Sequence, residues 1–147
     1  MAQDTKKTEE ALAEIYRNAQ LALQSISNIL PESEDMDVRK ELTSQYEKYE
    51  HFSAQASILA KDMGMELKEP NPMKKMMMWG SIKMNTLTDN SRSHIADMMV
   101  QGTVMGVTSL RTTAGELSPE GNEKIIALLE EMIKTEEEFE KKWKEYL

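Results

Sequence analysis

The chain has no cysteine, which removes disulfide frameworks, thiolate zinc sites, iron–sulfur clusters and cysteine nucleophiles together. Only 6 glycines and 4 prolines occur in 147 residues, too few for the turns of a sandwich or barrel. Long apolar runs are missing too. No stretch without a charged or polar side chain is longer than that from Met76 to Gly80, far short of the roughly 20 residues that span a bilayer. The first turns carry Asp4, Lys6, Lys7, Glu9, Glu10 and Glu14, so neither a signal peptide nor a membrane anchor is expected there. Positive charge is the scarcer sign: 18 Lys and Arg against 26 Asp and Glu leave a net charge of -8. A phosphate backbone would be repelled on average, and Lys74, Lys75, Lys83 and Arg92 are too sparse to form a basic stripe. These absences set aside nucleic acid and integral membrane association, and a cytoplasmic location is the expectation.

What is present is helical periodicity. Leu12, Ile15, Ala19, Ala22, Ile26 and Ile29 recur at spacings of 3 and 4, which predicts a helix over about 5–30 stopped by Pro31. Val38, Leu42, Gln45, Tyr49, Phe52, Ala56, Leu59 and Met63 predict a second over about 35–64, with Gly64 as its cap and Gln45 as one polar member of its seam. Pro70 and Pro72 interrupt the chain after it. Helical character then runs from 73 to about 115. A straight helix of that length would reach roughly 60 Å and overhang its partners, so a bend or restart is expected at Gly80 or within Thr88–Ser91. The last helix is expected over 119–147, with Ser118 as N-cap and Pro119 in the first turn. Four such stripes close only around a shared core, giving a single all-α domain over 1–147, a four-helix bundle. The length mismatch favours a ferritin-like order, with a long connection between helices 2 and 3, over a simple up-down-up-down order.

Projection at about 100° per residue selects few polar groups for the interior. Glu47 and His51 face solvent. On the third helix Asn90, His94, Asp97 and Gln101 recur at spacings 4, 3 and 4, beside a stripe of Leu87, Met98 and Met105. His94 is the one histidine directed at the core; it either pairs with Asp97 or a neighbouring helix, or serves as a ligand or proton carrier. Glu136 is the sharpest anomaly, a carboxylate on an otherwise apolar seam of Ile125, Leu129, Met132, Phe139, Trp143 and Tyr146. It must be paired with His94, Gln45 or a tyrosine, protonated, or bound to a metal. Glu50 and Glu140 flank their helices and could support it. His94, Asp97, Gln101 and Glu136 are therefore the candidate ligand-binding residues, and His94, Glu136 and Glu50 the candidate metal ligands. Ten of the 13 methionines fall between Met63 and Met105, with Met76, Met77 and Met78 beside Trp79, a pattern that suits an adaptable interface as well as a core. Gly102 and Gly106 permit close helix approach. No nucleotide-binding glycine loop, nucleophile elbow or zinc-type histidine pair occurs.

Tyr16-Arg17-Asn18-Ala19, Tyr46-Glu47-Lys48-Tyr49-Glu50 and Ser93-His94-Ile95-Ala96-Asp97-Met98-Met99-Val100-Gln101-Gly102, with the helix lengths, resemble a group of small bacterial proteins regarded as ferritin-like. Across the ferritin and rubrerythrin superfamily the resemblance implies a di-iron centre, with a Glu from each of two helices and Glu-x-x-His from each of the others. Here Glu14 is expected to point outward, Glu47 is followed by Glu50 rather than histidine, and the fourth helix has no histidine. The expected function is an interaction or ligand-binding bundle, with a homodimer favoured, no complete di-iron site and most simply no cofactor. One alternative is a metal-dependent oxidoreductase holding iron or another divalent metal at a non-standard site. The other is a Met-rich groove that takes a hydrophobic peptide or small molecule.

Overall fold

A computed structural model describes residues 2–67 and 89–147. Among the described residues there are four helices: α1 (Ala2–Ile29), followed by a 3-10 turn at Leu30–Glu32, α2 (Met36–Asp62), α3 (Arg92–Glu116) and α4 (Glu123–Lys144). The described residues contain no strand.

The helix ends follow local chemistry. Pro31 lies in the 3-10 turn, where its missing N–H and fixed φ end α1. Asp35 caps α2 by accepting from the backbone N–H groups of Asp37 and Val38, each at 3.0 Å, and so satisfies two of the donors that a helix start leaves open. Gly64, at φ 70, takes the left-handed conformation that closes α2. Ser91 caps α3 by accepting from the His94 N–H. A helix thus starts directly after Ser91, whereas the helical character expected over 73–88, including Gly80, Leu87 and the Met76–Trp79 cluster, and with it the expected bend or restart, lies outside the described residues.

The fourth helix begins later than the sequence suggests. Ser118 and Pro119 do not open α4; the chain turns through Gly121 at φ 80, and the helix starts after Asn122. Asn122 is buried and makes a tertiary bond instead of a cap: it accepts from the Thr8 hydroxyl at 2.7 Å and donates to the Ser118 carbonyl at 2.9 Å.

These end contacts give the helix order. Thr8 to Asn122 places the start of α1 beside the start of α4. Arg92, at the start of α3, donates to Asp35 and Asp37 at 2.8 and 3.0 Å, placing the start of α3 beside that of α2. Asn90 donates to the Glu32 carbonyl, just beyond α1, at 3.0 Å, and the Trp143 indole near the end of α4 donates to Gln45 near the start of α2 at 2.9 Å. The directions are up, down, down, up, with α1 packed chiefly on α2 and α3 on α4. α2 ends and α3 begins at opposite ends of the bundle, about 40 Å apart along its axis. Leu12, Ile15, Phe52, Ile95, Leu129 and Trp143 are sealed in the shared core, each such side chain contributing about 1.5–3 kcal/mol of burial.

The inward face of α3 differs from the expected stripe. Ile95, Ala96, Met99, Thr103, Gly106 and Leu110 face the core, whereas Met105 is 72% exposed and Met98 half-buried. This helix is apolar or small on nearly every side between Met98 and Leu110, so hydrophobic periodicity does not define its phase.

Candidate functional site

Midway along the bundle, Glu136 of α4 reaches the junction of all four helices and is 2% exposed. Its Oε1 accepts from Asn18 Nδ2 of α1 at 2.6 Å, and its Oε2 accepts from the Tyr49 hydroxyl of α2 at 2.9 Å. On the fourth side is Gly106 of α3. A Cβ built there would stand 2.8 Å from Glu136 Oε2 and 2.9 Å from Asn18 Oδ1, so the glycine makes room for the carboxylate and its amide partner. Tyr49 is oriented in turn by Phe139, whose ring centroid lies 5.5 Å away in a tilted arrangement.

Burial pushes the Glu136 carboxyl up to about 7, with the Tyr49 and Asn18 hydrogen bonds acting in the opposite direction. Removal from water penalises the anion more than two hydrogen bonds compensate it. The Tyr49 phenol is held well above its usual range, first by burial and then by the charge and hydrogen bond of Glu136. The cluster is a buried acid whose two oxygens are both engaged by neutral donors.

A second polar site lies one turn away. Glu14 is buried, contrary to its expected outward direction; it accepts from the Ser109 hydroxyl of α3 and pairs with Arg17. α1 is flanked on two sides, by α2 and α3, so its buried arc is wider than one apolar stripe and takes in Glu14 and Asn18. Periodicity does not single out Asn18; its place one turn after Glu14 is informative only in view of the breadth of the buried arc.

The other candidates do not join Glu136. His94 lies in the first turn of α3, about 18 Å along the helix from Gly106. Its Nε2 is buried and has no hydrogen-bond partner among the described residues. Asp97 does not pair with His94; it accepts from Gln101 at 3.0 Å, and both of these side chains are exposed. Glu50 is exposed, and Glu140 is half-buried with Lys144 at 3.8 Å. Glu47 and His51 are exposed as expected, His51 lying 3.9 Å from Glu131. Gln45, the polar seam residue, is fully buried between Trp143 and Glu41, to which it donates at 2.9 Å. Gly102, unlike Gly106, faces open space.

Among the described residues no three His, Asp or Glu side chains are grouped so as to hold a metal ion. A shallow, open depression on α2 is lined by Met36, Arg39, Thr43 and Glu47. No described helix is long and apolar enough to cross a membrane. No protein-family model, curated protein or solved structure matches the chain.

Proposed function

We propose that this chain is a ferritin-like helical bundle that works by association, without a complete di-metal site, and that its partner is a second copy of itself. The helix order, with α2 ending and α3 beginning at opposite ends of the bundle, supports the ferritin-like part. The engagement of Glu136 by Asn18 and Tyr49 supports a structural role for that carboxyl.

The observation that carries association is on α3. Residues 98–110 contain no charged side chain in a chain that is 30% charged, and within them the adjacent Val104 and Met105 are 40% and 72% exposed. Uncharged runs also span 18–31 and 52–60. On the first, only Ser27 and Pro31 are exposed; on the second, Ile58 is the sole exposed large apolar side chain. Two copies that each carry a net charge of -8 repel each other over most of their surfaces. They meet at least electrostatic cost where both present an uncharged apolar strip.

Sedimentation equilibrium over a wide concentration range tests this reading. A dimer is expected, weakened by Val104→Glu or Met105→Glu while the helical circular dichroism is kept. A wild-type chain that stays monomeric to millimolar concentration would overturn it.

A further inference from the structure

The exposed strip of α3 is bounded by charges of opposite sign. Asp97 lies at one end and Arg111 at the other, with Val104 midway at a spacing of seven residues from each. Seven residues are nearly two turns, so the three positions differ by only about 20° per step and share one seam. All three are exposed, and Gln101 and Thr108 lie between them on the same outward face.

We infer that two copies pair through this seam antiparallel, about a two-fold axis at Val104, with Asp97 of each copy against Arg111 of the other. The inference rests on the association proposed above and adds its geometry. A two-fold contact is self-complementary: if position 97 meets 111 of the second copy, then 111 meets 97. An antiparallel seam centred on Val104 satisfies both charges twice over and brings Val104 against its own copy. A parallel seam would set Asp97 against Asp97 and Arg111 against Arg111, and like charges directly opposed are unfavourable. Arg111 already donates from Nη2 to Glu137 of α4 at 2.6 Å and remains 59% exposed. Its planar fork of five donors can hold a second carboxylate as well. Asp97 accepts from Gln101 through Oδ2, and a carboxylate has acceptor capacity beyond that single bond.

Charge reversal tests the geometry at low ionic strength. Asp97→Arg alone and Arg111→Asp alone each turn two attractions into two repulsions, and each is expected to weaken dimerisation about tenfold. The combined Asp97→Arg/Arg111→Asp chain is expected to recover wild-type affinity, because the pairs are rebuilt with exchanged signs. In a parallel dimer the single reversals would only exchange one like-charged pair for another. The absence of cysteine gives a second measurement: a chain with Asp97→Cys mixed with one carrying Arg111→Cys should form the mixed disulfide under mild oxidation. Cross-linking of Asp97→Cys chains to one another in its place would overturn the antiparallel register. So would a dimer that Val104→Glu dissociates but the reversals leave unchanged, and in both cases association through α3 would stand. A monomeric wild type would remove both conclusions together.

Discussion

Glu136 makes the stability of this bundle depend on pH in a direction opposite to that of an ordinary salt-bridged carboxylate. Its carboxyl is moved by burial from an ordinary 4.5 to about 7, a difference equivalent to roughly 3 kcal/mol. Below 4.5 the group is protonated in both the folded and the unfolded chain, and its contribution is fully present. Between 4.5 and 7 the unfolded chain releases the proton while the folded chain retains it, so stability falls as pH rises. Above about 8 both states are ionised and the loss is complete. Many other carboxylates titrate over the lower part of this range, and Glu136→Gln isolates the one of interest. The amide has nearly the same shape and does not ionise; it keeps an acceptor for Tyr49 and directs its Nε2 toward Asn18, whose amide can rotate to accept. Urea unfolding of wild type and Glu136→Gln, each from pH 4.5 to 8.5, should show the stability difference shifting in favour of the variant by roughly 3 kcal/mol. A total stability of about 5–15 kcal/mol is typical of such a domain, so the shift is a large fraction of the whole. Tyr49→Phe removes a donor that favours the ionised form and should move the fall to higher stability loss at alkaline pH. A stability difference that does not vary with pH, or that shifts in favour of wild type as pH rises, would refute the assignment of a buried acid held by neutral donors.

Two further predictions concern neighbouring contacts. Gly106→Ala should destabilise the fold by about 1–3 kcal/mol, because its Cβ displaces a carboxylate and an amide fixed by hydrogen bonds. Gly102→Ala, on the same helix but in open space, should stabilise it by about 0.5–1 kcal/mol through helix propensity; thermal melts of the pair compare the two sites directly. Trp143→Phe removes the indole donor to the buried Gln45 Oε1 and should cost about 2–4 kcal/mol, combining lost packing with an unpaired amide. A denaturation midpoint equal to that of wild type would show that water reaches Gln45.

Helix boundaries are most legible where one residue acts on the backbone next to it. Pro31, Gly64 and Ser91 end or start helices because of missing donors, a left-handed φ or a side-chain cap, and each of these effects is local. Ser118 and Pro119 had the same local form, yet α4 starts at Glu123, after the turn through Gly121 and the tertiary bonds of Asn122. The phase of α3 was not legible for a different reason. With methionine, valine, glycine and threonine distributed around it, several faces were nearly equal in hydrophobicity, and packing against α1 and α4 chose among them. That choice buried Gly106 and exposed Met105, Asp97 and Gln101.

The apolar seam of α4 identified Glu136 as a carboxyl that had to be neutralised, because the cost of an unpaired buried charge holds in any fold. Its partners were decided only by tertiary structure. Tyr49 and Asn18 lie 87 and 118 residues away in sequence, and no local pattern joins them to Glu136. Likewise, the apolar periods determined that the chain forms long helices around one core. The directions in which those helices run were decided by contacts between their ends, at Thr8 with Asn122 and at Arg92 with Asp35 and Asp37, since periodicity specifies which face of a helix is buried but not what it is buried against.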